Sequence, residues 1–247
     1  MLAFIDESGD EGTGGRGSRW LVFGCAMVSQ QEAVPTKNTA RTAAALATTG
    51  RQRWLHFVDM SHDDKHGAID VLCLGRWHGV IVATDTSALL PGSRLKDPGS
   101  QYRYAARYVI ERISAYASEL REPATIFFEH RRSFDFGALL RYIDLLRTAG
   151  GRIESQWIDP ARISQLGKGT DETLCIADAL AYAGFRALEP HRLWKRYERS
   201  YLDALMPRLW RGPTGRENLH TWGLVLMPTS LWGSKFVREY PWLRALR

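Results

Sequence analysis

A chain of 247 residues is long enough for one large domain or two small ones. It is 45% hydrophobic and 24% charged, close to the average of soluble globular proteins, which excludes wholesale disorder, collagen and coiled coil. No apolar run reaches the roughly 18 residues of a membrane span, and the acidic N-terminal segment lacks the basic start of a secretory signal. Three widely spaced cysteines, Cys25, Cys73 and Cys175, indicate neither a disulfide framework nor a zinc pair. We therefore expect a soluble, reduced, cytoplasmic protein.

The net charge of +6 is unevenly distributed along the chain. Residues 190–247 hold 11 Lys and Arg against 4 Asp and Glu, whereas residues 1–189 hold 22 against 23. Five of the nine tryptophans also lie in this last quarter of the chain. Basic residues interleaved with aromatic residues can follow a phosphate backbone and stack on bases. The alternative is a subdomain whose tryptophans form a core and whose arginines are solvated.

The predicted elements alternate between strands and helices after an initial hairpin. Two apolar strands, residues 2–6 and 19–29, flank an acidic, Gly-rich loop over 7–17. The elements that follow are a helix over 38–49, a helix that begins at Ser61, a strand over 80–84, a helix over 100–120, a strand over 125–129, a helix that Asp135 caps and Gly150 ends, a strand over 152–158 and a helix over 171–188. This order predicts an α/β fold with a mixed sheet flanked by helices over residues 1–189, and a basic, Trp-rich extension, 190–247, packed on it.

Several carboxylates lie in apolar surroundings. Asp6 and Glu129 each close an apolar strand, and Asp178 lies inside an apolar helix with Asp171 two turns earlier on a similar face. An ionised carboxylate in such surroundings is costly unless it is paired or bound to a cation. Carboxylates that meet at strand ends repel one another unless Mg²⁺ or Mn²⁺ bridges them, as in sites that hydrolyse phosphodiesters. The sequence therefore predicts a metal site made of these four acids; separate salt bridges or a helix cap are the alternative.

Four short motifs resemble those of a known family. Phe4-Ile-Asp-Glu-Ser-Gly9, followed by the apolar strand Val22-Phe-Gly-Cys-Ala, resembles the IDESG-motif family of uncharacterised bacterial and phage proteins, which is assigned to the ribonuclease-H-like superfamily. The other similar motifs are Leu55-His56-Phe57, Glu129 at the close of a strand, and Ala177-Asp178-Ala-Leu-Ala-Tyr182. The chain departs from the family at Cys175, where glutamine is common, and at Glu129, where aspartate is usual.

The resemblance implies a ribonuclease-H-like sheet with acids on its central strands and metal-dependent hydrolysis of a phosphodiester. Asp6 is then the central ligand, with Glu129 and Asp178 as further ligands. Glu7 is a second catalytic candidate, although it points to the opposite face of the sheet if the strand stays regular. Because one fold supports many functions, the resemblance names no substrate.

Four more residues are candidates for contact with a substrate, each with a structural alternative. His56 can orient a water or take a proton near neutral pH, or can be a partly buried structural histidine. Lys168, between two glycines, can reach a phosphate, although the spacing is not that of a Walker A loop, or can belong to an ordinary loop. Arg131 and Arg132, which follow Glu129, can contact a phosphate, neutralise that acid or lie in solvent.

The function predicted from these residues is that of a metal-dependent nuclease or related phosphodiesterase, with DNA or RNA held by the basic C-terminal segment. One alternative is a module that binds nucleic acid or protein without catalysis, in a phage-defence or mobile-element system. Another is a hydrolase of small phosphate compounds, which a pocket closed by the C-terminal segment would favour. The apolar run 224–227 is either core or a contact in a homodimer. We expect no membrane partner.

Overall fold

A mixed β-sheet of six strands runs through the computed structural model, which describes residues 1–10, 17–47, 55–88, 98–132 and 134–246. The strands are β1 (Leu2–Ser8), β2 (Trp20–Val28), β3 (His78–Asp85), β4 (Thr125–Glu129), β5 (Ile163–Leu166) and β6 (Leu224–Met227). Their order across the sheet is β5-β4-β1-β2-β3-β6. β2 is antiparallel to β1 and β3, whereas the pairs β1–β4, β4–β5 and β3–β6 are parallel. β1 and β2 therefore occupy the centre of the sheet, and β4 lies beside β1 as its parallel neighbour.

Helices cover both faces of this sheet. They are α1 (Ala33–Ala47), α2 (His62–Leu72), α3 (Pro98–Leu120), α4 (Phe136–Thr148), α5 (Leu174–Leu188), α6 (Ser200–Leu205) and α7 (Val237–Glu239). One face packs against α5 together with α1, α2, α6 and α7, and the other packs against α3 and α4. In the described parts of the chain, no helix combines the length and the apolar character that crossing a membrane needs.

Neighbouring residues along the central strands point into two different apolar cores. Phe4 and Val22 face the core around α5, whereas Ile5 and Phe23 face the core under α3 and α4. This alternation follows from the two-residue period of an extended strand. Because both faces are covered, every residue of β2 is buried, and the strand reads as a continuous apolar run.

Most of the predicted elements are confirmed. The strand over 125–129 has the predicted bounds, and the helix predicted to begin at Ser61 does so, since the Ser61 hydroxyl accepts a hydrogen bond from the Asp64 N–H. Asp135 caps α4 by accepting from the Ala138 N–H at 2.8 Å. The helix predicted over 38–49 begins earlier, at Ala33, and its residues 48 and 49 lie outside the described residues, as do residues 11–16 of the predicted loop.

The strand predicted over 152–158 is wrong. That segment forms bends and turns, in which the Trp157 N–H donates to the Glu154 carbonyl at 3.0 Å. The partner of β4 is instead β5, which follows a short turn that Asp159 caps. The pattern of residues 152–158 is compatible with a strand, but β4 pairs with the later segment Ile163–Leu166 instead.

The C-terminal region contributes more regular structure than its irregular sequence predicts. Residues 224–227 form β6, a buried strand parallel to β3, so this apolar run belongs to the core. Trp210 and Trp232 are buried, whereas Trp194 is 73% exposed. Trp210 and Trp232 thus belong to the core, as one reading of the sequence predicted. The Trp194 ring instead lies in solvent.

The close contact between α5 and the sheet depends on Gly24 in β2. A Cβ atom at this position would lie less than 3.0 Å from the Ala177 carbonyl oxygen and from the Ala181 amide nitrogen. The helix backbone therefore rests directly on the strand, which only glycine permits. Gly24 is also the register partner of Asp6 on β1. The same contact consequently brings Asp178 of α5 towards Asp6.

We expect Gly24→Ala to lower the free energy of unfolding by about 1–3 kcal/mol, the usual cost of an added methyl group in a packed core. The backbone atoms that it would meet cannot rotate away as a side chain can. Urea unfolding followed by circular dichroism measures this change.

Gly67→Ala is the matched control, because a Cβ atom at Gly67 would have no neighbour within 4 Å and this residue lies inside α2. Alanine is the better helix former, so this variant should gain about 0.5–1 kcal/mol. Equal stability of the two variants would contradict the packing described for Gly24.

Candidate functional site

The neighbouring parallel strands β1 and β4 bring two carboxylates to one edge of the sheet. Ile5 of β1 lies opposite Phe128 of β4, so the next residues along the strands, Asp6 and Glu129, are neighbours at the carboxyl ends. In open α/β sheets this edge is where ligands bind. Both side chains are less than a tenth exposed, and their carboxyl groups are close enough for Glu129 to raise the pKa of Asp6.

Helix α5 supplies the third carboxylate, Asp178, which is 9% exposed. Its Oδ2 atom accepts a hydrogen bond from the Phe57 N–H at 2.8 Å. Phe57 begins a short 3₁₀ turn, so the motif Leu55-His56-Phe57 acts here through its backbone. The structure therefore brings together three of the acids that the sequence predicted, and it holds one of them with a main-chain donor.

Burial and mutual repulsion control the protonation of this cluster. Burial raises the pKa of Asp6 well above its ordinary value, and the hydrogen bond with Glu129 and the charge of Asp178 raise it further. Burial also raises the pKa of Asp178, although the Phe57 N–H opposes the shift. Asp6 and Asp178 consequently bind a proton more readily than surface carboxylates do.

Lys168 and His56 complete the cluster. The Lys168 Nζ atom lies 3.2 Å from Glu129 Oε1 and 2.7 Å from His56 Nε2. Burial lowers the pKa of Lys168, but Glu129 and the other two carboxylates outweigh it and raise the pKa overall. Because an ammonium group only donates, His56 Nε2 is the acceptor. The proton of the neutral ring is therefore on Nδ1, which lies 2.9 Å from Asp59 Oδ2.

One cavity of about 30 Å³ is lined by five of these side chains, namely Asp6, Glu129, Asp178, Lys168 and His56. That volume is the share of one water molecule in the liquid, so the cavity has room for a water or an ion. Asp171 also contributes to the lining, but its Oδ2 atom lies 2.7 Å from the Lys37 ammonium. The predicted fourth ligand is thus engaged in an ion pair. Cys175 lines the cavity too, as a buried thiol.

Glu7 and Arg131 lie on the other face of the sheet. The Tyr102 hydroxyl of α3 donates to Glu7 Oε2 at 3.4 Å, and Arg131 Nε lies 3.8 Å from Glu7 Oε1. The Arg131 guanidinium also lies over the Tyr102 ring. The regular strand thus directs Glu7 away from Asp6, and Arg131 pairs with Glu7 rather than with Glu129. Arg132 is exposed.

The donor set fits a divalent cation, but its ligands are not preformed. Three buried carboxylates against one lysine leave an excess of negative charge, and carboxylate oxygens are the ligands that Mg²⁺ and Mn²⁺ prefer. Within the described ranges, however, no three His, Cys, Asp or Glu side chains are grouped so that they could hold one metal ion. The Lys168 ammonium instead lies against Glu129. A metal would therefore bind only after these side chains have rearranged.

Sequence reasoning missed the partners that orient the site. Asp59, which orients His56, and Lys37, which engages Asp171, carried no distinguishing pattern. Gly24 did carry a signal, because an isolated glycine inside an apolar strand is typical of close backbone approach. The main-chain donor of Phe57 cannot be identified from residue type, since every residue except proline has an N–H group.

Comparisons with protein-family models, with curated proteins and with solved structures found no match to this chain. The resemblance to the IDESG-motif family accordingly stays a prediction.

We expect Asp6→Asn to be more stable than the wild type at pH 7 in EDTA. A raised pKa means that folded Asp6 keeps its proton above pH 3.8, where the unfolded chain releases it, so the stability of the wild type falls as the pH rises through this interval. Asparagine cannot ionise and removes this loss. Each kcal/mol regained raises the Tm by about 2–4 °C in a chain of this size. The gain should vanish towards pH 4.

Thermal unfolding from pH 4 to pH 8 measures the effect. Asp144→Asn is the control, because Asp144 is half-exposed on α4 and pairs only with Arg147 in the contacts described here. A surface pair of this kind contributes at most about 1 kcal/mol. A variant at Asp6 that is no more stable than the wild type at pH 7 would contradict the raised pKa.

Proposed function

We propose that the chain is a divalent-metal-dependent phosphodiester hydrolase that acts on nucleic acid. The observation that carries the proposal is the convergence of Asp6, Glu129 and Asp178, all buried, at the carboxyl edge of the parallel strands β1 and β4. Holding three acids together in this way opposes folding. Such arrangements of perturbed carboxylates in a cavity are typical of functional sites.

We propose further that the sheet has a ribonuclease-H-like fold. Two features support it: an antiparallel hairpin, β1–β2, at the start of the chain, and parallel strands β4 and β5 on the other side of β1. Asp6 lies in the second half of β1, Glu129 ends β4 and Asp178 lies on α5, which agrees with the acids on neighbouring strands that the resemblance implies. The coarser description, a mixed sheet flanked by helices, stands independently of the superfamily.

Asp6, Glu129 and Asp178 are the residues that would hold Mg²⁺ or Mn²⁺. When bound, such an ion supplies a water of lowered pKa and neutralises charge on the phosphate. The carboxylate at Glu129 is free for this role once Lys168 leaves it. The Phe57 N–H keeps Asp178 oriented, because it donates to one carboxylate oxygen and leaves the other available.

Lys168 and His56 have separate roles in the proposed reaction. Lys168 lies between Gly167 and Gly169 on the cavity lining and is half-exposed, so its ammonium can turn from Glu129 to a phosphate oxygen. His56 then has an unoccupied Nε2 atom that can accept a proton, while its Nδ1 atom stays against Asp59 Oδ2 and fixes the orientation of the ring. Asp171 stays paired with Lys37 at the edge of the cavity.

One observation favours the second candidate, a binding module without catalysis. The Lys168–Glu129 ion pair already supplies the cluster with a cation, as a site that has lost its metal would. Hydrolysis of small phosphates gains no comparable support. The described residues that line the cavity include none from 190–247, so the C-terminal segment does not close it.

We expect the wild type to cleave labelled nucleic acid with Mn²⁺ or Mg²⁺ and to be inactive in EDTA. Asp6→Asn and Asp178→Asn should each lower the cleavage rate by about 100-fold or more, the usual contribution of a positioned catalytic group. Gel assays with single-stranded, double-stranded and hybrid substrates measure these rates. Asp144→Asn, remote from the cavity, should cleave at the wild-type rate.

The hydrolase proposal fails if no substrate is cut under any metal condition. Binding that persists in that case, with the same affinity for wild type and Asp6→Asn, would indicate the binding module. Cleavage that Asp6→Asn retains in full would contradict the assignment of the site.

A further inference from the structure

A second and larger pocket lies beside the carboxylate cavity. It has a volume of about 660 Å³, and its lining is mainly aromatic and basic. Its lining includes Tyr182 and Arg186 of α5, and Trp194, Arg196 and Tyr197 of the segment that follows α5. Pockets of about 300–1,000 Å³ hold small molecules or single building blocks of a polymer.

Helix α5 connects this pocket with the carboxylates. Asp178, Tyr182 and Arg186 are spaced by four residues, so they follow one another along one face of the helix. Each step of this spacing is about 6 Å along the helix axis. The Tyr182 ring also lies 6.3 Å from the ring of Phe57, whose N–H holds Asp178. The pocket therefore begins one helical turn beyond the acids.

Two aromatic residues of the pocket, Trp194 and Tyr197, are unusually accessible. Trp194 is 73% exposed, and Tyr197 is half-exposed. Tryptophan normally buries most of its area, and Trp210 and Trp232 of the same C-terminal region do so. An exposed indole beside a basic pocket is a platform on which a planar group can stack.

The charges of the pocket favour an anionic ligand. Arg186 and Arg196 contribute two positive charges, and Glu198 contributes one negative charge. Glu198 is occupied in holding the start of α6, because its Oε1 atom accepts from both the hydroxyl and the N–H of Ser200. The two guanidinium groups can therefore contact phosphate oxygens next to a stacked ring.

We propose that this pocket binds an unpaired base of a single-stranded nucleic acid and thereby presents the adjoining phosphodiester to Asp6, Glu129 and Asp178. The proposal rests on the function proposed above and names the form of its substrate. A base in a duplex is stacked between its neighbours and cannot enter a pocket unless it is extruded. A single strand offers its bases to aromatic rings while arginines follow its phosphates.

The test measures how tightly the protein binds a short, fluorescently labelled single strand of thymidine nucleotides, called the thymidine strand below. Fluorescence anisotropy in EDTA gives the affinity, because EDTA removes divalent metal and so prevents cleavage. Trp194→Ala should bind this strand about 5- to 150-fold more weakly than the wild type, the range that the loss of one stacked base gives. Its exposure means that the substitution removes no core packing. A uridine strand, tested in parallel, shows whether RNA is held in the same way.

Two controls separate stacking from other effects. Leu193→Ala changes the neighbouring residue, which is 77% exposed and outside the pocket lining, and it should bind like the wild type. An abasic strand of equal length keeps the phosphates but has no bases. Trp194→Ala should bind this abasic strand as the wild type does, because the phosphate contacts remain.

Three outcomes would overturn the pocket assignment: equal affinity of Trp194→Ala and Leu193→Ala for the thymidine strand, an equal loss on the abasic strand, or tighter binding of the matching duplex. These readouts do not require catalysis. A specific loss in Trp194→Ala without any cleavage in Mn²⁺ supports the pocket and refutes the hydrolase. Cleavage by a Trp194→Ala variant with wild-type affinity refutes the pocket alone.

Discussion

Asp6, Glu129 and Asp178 repel one another, and only a rigid backbone keeps them at one edge of the sheet. Two constraints provide this rigidity. The parallel register of β1 and β4 places the first two acids side by side, and the glycine contact at Gly24 places α5 against β2 beside them. The helix meets the strand through small residues, Ala177 and Ala181, which let the backbones approach. The geometry of the site is therefore a consequence of how closely one helix packs on the sheet.

This geometry has an electrostatic consequence. A buried group of like charges lowers the stability of the fold, and natural proteins retain such groups where function requires them. Two groups offset part of the repulsion between the acids. Lys168 places a positive charge beside Glu129, and the Phe57 N–H donates a hydrogen bond to Asp178. The two differ in mobility, because the lysine is half-exposed between glycines whereas the N–H belongs to a hydrogen-bonded turn. Only the lysine can exchange Glu129 for another partner.

Some residues of the C-terminal region build the core, and others line a pocket, although in the sequence all of them belong to one basic, Trp-rich segment. Its apolar run extends the sheet as β6, and Trp210 and Trp232 fill the cores around it. Trp194 and the arginines near it instead surround a pocket that opens beside α5. Basic and aromatic composition alone cannot separate these roles, because a buried tryptophan and a stacking platform have the same residue type. Accessibility separates them.

The sequence by itself determined the three acids, the hairpin, the capped helices and the mixed α/β class. These features depend on local patterns: apolar alternation that ends in a carboxylate, a cap residue before a helix, a helical period around Asp178. Only the tertiary structure decided that β5 rather than 152–158 pairs with β4, that Glu7 faces Tyr102, and that Asp171 forms an ion pair with Lys37. Strand partners and ion pairs join residues far apart in the chain, and several candidates satisfy each local pattern equally well. Packing between distant segments selects the actual partner, and a local sequence pattern contains no information about that packing.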